Sequence, residues 1–467
     1  SCNVDEFLNP LPDTAVVADA FFTKDADVLA GLIGIYDAVQ GVNENTNTNI
    51  NTSNRGVQFE YLLTEHRSDN TRGATSEGSK ADFHRYLVDP ENVQSEDYYQ
   101  SMYEVIFRAN NILKYIDVAN ESNKGKYRAE AKFMRAYAYF NLVRLFGDVP
   151  MVTSVAGPTD NNALFTRVPV ADIYALIVAD LQEAVDNLDN TRKSRASKAA
   201  AQGLLAKVYL TQENRNYAGA QQLCEDIMNS GLFSLQTNFR NVFYNELNSE
   251  IIFAIQYQAG NTLESQSFSS EFTSAFRQGR EDGLNIVNTS LIEDFTVYGG
   301  NRTAVSYVTF GTSNEVAKFL PEGSNVATVP PTYGLNARNA GNDWIILRYA
   351  DVLLMHAEAI LAGLPSTSNS AAIDSYMAVR VRAGFNAVAD RPSTLTKEAL
   401  LAERRVELAF ENQRFFDLLR FGVADEVLTA HAADMGYGSY DARKLLLPIP
   451  QREINLSGGI LTQNPGY

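Results

Sequence analysis

Small residues set into helical apolar patterns constrain this chain more than any other feature. Ser197–Gln212 reads as one helix carrying Gly203 and Ala206, with Tyr209 one turn on. Tyr217–Asn229 reads as a second, opened by Tyr217 and Ala220 and joined to the first by a tight turn near Asn214–Asn216. Ser197 offers an N-cap oxygen, and Gly231 suits the left-handed residue past the last turn. Small residues let paired helices approach and aromatics fill the gaps between pairs. The spacing is that of a tetratricopeptide-like unit, whose period is about 34 residues. Trp344–Gly363 with Asn369–Ala383 reads as a second unit. Arg128–Phe146, with a helix opened by Pro169 and running to Leu188, is a looser one. Asp25–Gln40 and Ser95–Ala119 add further helices by their apolar spacing.

The units are not contiguous. Between Leu232 and Asn342 the pattern breaks into short β-like runs, Ile251–Tyr257 and Val305–Phe310, and Gly/Asn/Ser-rich loops. The expected fold class is mainly α: helix pairs forming an α-superhelical scaffold that carries a long, irregular, loop-rich insertion. Loops on rigid scaffolds are where binding residues sit. Asn43–Asn54 (NENTNTNINTSN) cannot fold alone. It reads as a surface loop, or as a rim of amides and hydroxyls facing a polyhydroxylated ligand.

Charge and motifs exclude much. Lys and Arg number 39 against 56 Asp and Glu, a net charge of −17. That balance disfavours nucleic acid, whose affinity comes from neutralised phosphates. It also leaves no polybasic membrane patch. No apolar run reaches the roughly 18 residues of a membrane helix. The two cysteines, Cys2 and Cys224, make no disulfide framework. Cys224 sits in an apolar helical pattern. Cys2, followed by a polar tether, has the form of a lipidated bacterial N-terminus. There is no HExxH, GxSxG, P-loop or GxGxxG after a strand. The four histidines lack metal-ligand spacing, and His356 reads as a packed helical histidine. Glu403, Glu407 and Glu411 share one helical face, as a glycosidase pair would need. Arg404, Arg405, Arg414, Asp417 and Arg420 interleave with them, a pattern of ion pairs rather than catalysis. The expectation is a non-enzyme with no cofactor and no metal.

Several segments coincide with one family. They are AEAKFMRAYAYFNLVRLFGDVPMVT (Ala129–Thr153), RVPVADIYALIVADLQEAVDNL (Arg167–Leu188), ILRYADVLLMHAEA (Ile346–Ala359), VRVRAG (Val379–Gly384), ERRVELAFENQRFFDLLRFG (Glu403–Gly422) and LLPIPQREINLSGGILTQNPGY (Leu446–Tyr467). In this order and spacing the chain resembles the SusD/RagB outer-membrane nutrient-binding lipoproteins of Bacteroidetes. The resemblance implies a single SusD-like domain over 1–467: scaffold about 20–231 and 343–422, insertion about 232–342, C-terminal segment 423–467. It implies lipidation at Cys2 and a place on the extracellular face of the outer membrane. It further implies capture of an oligosaccharide or polysaccharide for a SusC-like TonB-dependent transporter. Peptide capture of the RagB kind, or a tetratricopeptide-type interaction scaffold, are the alternatives. Arg348 and Asp351 are expected to make buried ion pairs with the Glu403–Arg405 helix, joined by Glu358 and Arg382.

Sugars present apolar C–H faces to aromatic rings and hydroxyls to amides, carboxylates and guanidiniums. By the resemblance, contacts come from the loops after the first helix and from the insertion. The candidates there are Asn43 and Asn45, then the polar cluster of Arg67, Asp69 and Asn70 with Arg72, and Phe83, His84 and Tyr86. Phe276, Arg277 and Gln278 in the insertion, beside Arg280, form another set. Trp344, the chain's one tryptophan, is a candidate platform or a packing residue. The scarcity of tryptophan favours polar recognition over a flat glucan surface. The arginines fit an acidic sugar, the overall negative field a neutral one.

Overall fold

A computed structural model describes residues 19–44, 54–73, 78–273, 283–325, 332 and 336–467, without the Phe310 side chain. Helices dominate: α1 Asp25–Gln40, α2 Val93–Lys114, α3 Glu121–Phe146, α4 Val170–Asn187, α5 Lys198–Thr211 and α6 Tyr217–Asn229. After the insertion come α7 Tyr349–Leu361, α8 Ser370–Arg382, α9 Lys397–Glu407, α10 Arg414–Arg420 and α11 Ala424–Met435. Ser197 caps α5 by accepting from the Ala200 N–H at 3.1 Å. Asn369 caps α8 in the same way. Gly231 takes φ +68° beyond α6.

Successive helices pack as neighbours from α2 through α6. The array then resumes directly: α6 packs on α7, with the whole insertion lying between them in sequence, and α7 packs on α8. The main core runs from Val28 on α1 to Leu461 near the C-terminus, and a second cluster lies among α7, α8 and α9.

The start of the last repeat unit differs from the helical expectation. Trp344–Arg348 is a strand, antiparallel to Ile251–Ile255 with Ile251 opposite Arg348 and Ile255 opposite Trp344. The two runs are rich in β-branched and aromatic residues, and both are largely buried, so a ladder satisfies their backbones better than another helical turn. Gly203 on α5 makes room for it. A Cβ there would lie 2.2 Å from Leu347 Cδ2. The Val305–Phe310 run also starts late, at Tyr307, because Thr303–Ser306 closes a helical turn first. A second sheet, in the order Thr71–Arg72, Ile286–Val287, Ser313–Val316, Tyr307–Phe310, ties the segment after α1 to the insertion.

Where α1 ends, two backbones cross. Gly41 (φ +70°) and Gly56 (φ +52°) are both left-handed. A Cβ on Gly41 would meet the Arg55 carbonyl carbon at 2.1 Å, and one on Gly56 the Val39 oxygen at 2.0 Å. The Val42 N–H donates to Asn54 O at 3.0 Å, which closes the base of the Asn-rich segment.

A buried ion-pair network joins insertion, scaffold and C-terminal helices. Arg348 binds Glu250, Glu407 and Glu411, each at 2.8 Å. Glu407 also takes Arg302 at 2.7 Å and Arg382. Arg404 bridges Asp351 (2.8 Å) and Asp417 (3.0 Å), Lys207 reaches Asp351 at 2.6 Å, and Arg420 holds Glu358 at 2.6 Å. The pairing expected of Arg348, Asp351, Glu358 and Arg382 is present. Burial alone would push the Glu407 carboxyl up, but Arg382, Arg348 and Arg302 hold it well below the carboxylate range. Removing one member leaves its partners charged, buried and uncompensated.

Three substitutions test this packing. Glu407→Gln is expected to cost about 3–5 kcal/mol in urea denaturation. Arg391→Ala, which breaks an exposed pair with Asp374, should cost no more than about 1 kcal/mol. Gly203→Ala is expected to cost about 1–3 kcal/mol, because Leu347 must leave its rotamer in a packed core.

Candidate functional site

The polar run after α1 does not face solvent as its composition led us to expect. Arg67 donates to the Lys444 and Leu445 carbonyls at 2.8 and 3.0 Å, with its guanidinium 4.3 Å from the centre of the Phe415 ring. Asp69 is gripped by both Arg414 nitrogens, at 2.8 and 3.0 Å, and by Arg405 at 3.0 Å. Asn70 donates to Glu65 and accepts from Arg405, both at 3.0 Å. These residues fasten the segment to α9, α10 and the C-terminal stretch, and that is why they are inside. Asn43 is buried too, donating to Ser265 Oγ and the Arg338 carbonyl at 3.0 Å each. Phe83 is fully buried. Tyr86, left-handed at φ 58°, donates to the Arg67 carbonyl at 3.0 Å. Trp344 is 3% exposed and packs on Phe268 and Phe319, so it is a packing residue and not a platform. Asn45, Phe276, Arg277, Gln278, Arg280 and Cys2 lie outside the described residues.

What remains near the surface is Arg72, one of the sequence candidates, with rings that the sequence reading named only in part. Arg72 is half-buried and enters no ion pair among the described residues. Beside it Tyr437 and Tyr440, half-buried, begin a seam of rings. Tyr440 meets Tyr86 (4.9 Å between centroids), Tyr437 meets His84 (5.7 Å), His84 meets His66 (5.9 Å), and His66 meets Tyr61 (5.3 Å). His431 joins from α11 at 6.0 Å from Tyr437. Three of the four histidines, distant in sequence, therefore gather here. His84 accepts from the Gly73 N–H through Nδ1 at 3.3 Å, which places its proton on Nε2.

Around His66 several buried polar atoms lack partners among the described residues. Thr71 Oγ1, Thr273 Oγ1 and both amide atoms of Asn285 close no hydrogen bond there, and His66 has only the Leu284 backbone within reach. The register Thr71 opposite Val287 puts Thr71 and Asn285 on one face of the ladder. Thr273 follows Phe272, whose ring packs on Tyr61. Buried polar groups are nearly always paired, so this concentration marks a place built for polar company.

The sequence reading missed Tyr437, Tyr440 and His431. The signal available was the Met435–Asp441 stretch, MGYGSYD, where two tyrosines alternate with glycine and serine. A serine–histidine–glutamate array also exists: His356 Nδ1 lies 2.7 Å from Ser375 Oγ and Nε2 lies 3.0 Å from Glu225. It sits between α6, α7 and α8 with His356 and Ser375 both buried. It is helix packing, as expected for His356.

The titration of these groups sets a pH trend. Burial, with Arg72 and neighbouring histidines, holds His66 well below its ordinary value and His84 down at about 4; burial also lowers His431. Burial pushes Glu65, Asp97 and Asp343 up to about 7 and Glu453 up to about 8, and it raises Glu271 as well. Between about pH 4.5 and 8 the unfolded chain loses these carboxyl protons while the folded chain keeps them, so stability falls as pH rises. The histidines work the other way below about pH 6.5 but are fewer. Glu407, Asp351 and Asp69, held low by their arginines and lysine, weaken the fold only as pH falls below about 4. The melting temperature is expected to be several degrees higher at pH 5 than at pH 8. A flat or rising profile in differential scanning calorimetry would contradict these assignments.

The chain is similar to known proteins along its length. A family model described as "SusD family" matches residues 318–467, and one described as "Starch-binding associating with outer membrane" matches 6–210. A SusD-like protein P2 of Formosa agariphila is 27% identical, aligned over 98% of this chain and 95% of its own. A solved laminarin-binding SusD-like protein is 25% identical, with a TM-score of 0.76 over 95% of this chain and 100% of that one. Surface glycan-binding protein A of Bacteroides thetaiotaomicron, in complex with laminarihexaose, shares the fold at 21% identity, with a TM-score of 0.76 over the same shares.

Proposed function

This chain belongs to the SusD family, and on that premise we propose that it is a glycan-binding protein of the outer membrane. It captures an oligosaccharide and hands it to a SusC-like TonB-dependent transporter while held to the extracellular face by lipid on Cys2. The reading draws support from the family description of outer-membrane association and from solved relatives named for laminarin and surface glycan binding.

One observation carries the placement of the site. Arg72, which pairs with no carboxylate among the described residues, stands beside Tyr437 on the ladder face opposite Thr71 and Asn285. A ring offers a face for sugar C–H groups, and a guanidinium offers partners for hydroxyls. Asn45, Phe276, Arg277 and Gln278 are proposed as further ligand contacts. Recognition is by binding alone. Glu403, Glu407 and Glu411 are each neutralised by guanidinium or ammonium groups in the interior and have no substrate to protonate.

Calorimetric titration with laminarihexaose and a panel of other plant and algal oligosaccharides tests this. One of them is expected to bind saturably. Arg72→Ala and Tyr437→Ala are each expected to weaken it about tenfold or more, the effect of losing one charge-assisted hydrogen bond or one stacked ring. The melting temperature should barely move. Binding of peptides and of no glycan would overturn the reading, as would release of cleaved sugar.

A further inference from the structure

At the centre of the molecule α3, α5, the Trp344–Arg348 strand and the Glu411–Gln413 turn border a cavity of about 40 Å³. Phe133, Phe140 and Trp344 form its apolar wall. The polar wall comes from Glu60, Tyr137, Asn141, Arg144, Lys207 and Asn412. Tyr137, Asn141 and Asn412 are each 3% exposed. In each, one polar atom closes no well-formed hydrogen bond among the described residues: the Tyr137 hydroxyl and Asn141 Nδ2, which face one another, and Asn412 Oδ1. This concentration is separate from the one around His66.

The charged members narrow the choice of occupant. Arg144 lies flat between the Phe140 and Phe416 rings, 3.7 Å from each centroid. It donates to the Phe140 carbonyl and to Asn141 Oδ1, and no carboxylate pairs with it among the described residues. Glu60 accepts from the Tyr98 hydroxyl at 2.8 Å and from Asn412 Nδ2 at 3.1 Å, with no base bonded to it. A cation would face Arg144 and Lys207, and an anion would face Glu60, Glu411 and the Asn412 oxygen. An apolar guest would leave three polar atoms unmet. A sugar ring does not fit the volume. The unmet atoms are a donor (Asn141), an acceptor (Asn412) and a group that does both (Tyr137), so the occupant must donate and accept at short range.

We propose that this cavity is a water-binding site, holding about three or four ordered molecules that bridge Tyr137, Asn141 and Asn412, at the roughly 10–15 Å³ that each water needs. The waters supply the missing hydrogen bonds and give Glu60 and Arg144 a polar medium where the scaffold meets the ion-pair network. Burial raises the Glu60 carboxyl, as fits a group with polar neighbours and no counter-ion bonded to it.

The test is a crystal structure of the full chain at about 1.5 Å resolution, repeated for Tyr137→Phe, after xenon pressurisation and after a bromide soak. The expected result is solvent density within hydrogen-bond distance of all three atoms, one water fewer in Tyr137→Phe, and no xenon or bromide peak. Removal of a hydroxyl that bonds water is expected to lower the melting temperature by a few degrees. A xenon or bromide peak in the cavity, direct closure of the three side chains on one another, or a melting temperature raised by Tyr137→Phe would each overturn the proposal.

Discussion

The interaction on which the rest depends is the set of carboxylates around Arg348. Its guanidinium reaches one glutamate from the insertion and two from the α9–α10 region. Glu407 in turn collects Arg302 from the insertion and Arg382 from α8. Such charges pay a large desolvation cost, and only near-complete pairing offsets it. The network therefore acts as a condition on the fold: the insertion must return to the scaffold at one place and in one register. Without it the hydrophobic contacts of the helix pairs would still favour collapse but would not say where residues 232–342 belong.

The same network explains the division of labour among polar residues. The segments that carry the family resemblance supply most of its charges, so they are engaged in holding the chain together. The candidate ligand face is made from what the network leaves over: Arg72, with tyrosines from the C-terminal segment. Frame and face meet at Asp69 and Asn70, which are bound by Arg405 and Arg414 directly beneath Arg72 in sequence.

Much of the frame was legible in the chain. The boundaries of α1 and α6 follow from apolar spacing and caps, and the interleaved charges of 403–420 foretold ion pairs. The failures share one cause, partners remote in sequence. The run from His66 to Asn70 has the polarity of a surface loop, yet Asp69 is bound to Arg414, 345 residues away. Nothing local distinguishes a polar residue that will find an internal counter-ion from one that will stay in water. Trp344–Arg348 fits a helical period, but its ladder partner is Ile251–Ile255, and a tertiary hydrogen-bond partner overrides local preference. Tyr437 and Tyr440 were passed over because glycine-rich composition reads as a connection, whereas here it sets two rings against the far end of the chain.

The crossing of Gly41 and Gly56 has a bearing on the length of the stretch between them. The two strands of backbone touch where a side chain would not fit, and the Val42–Asn54 bond seals the neck. The two ends of the stretch between the glycines are thereby held together. Adding residues to such a stretch raises its closure entropy only logarithmically. The crossing thus acts as a socket: a change in the length of the asparagine-rich stretch need not disturb the helices on either side of it.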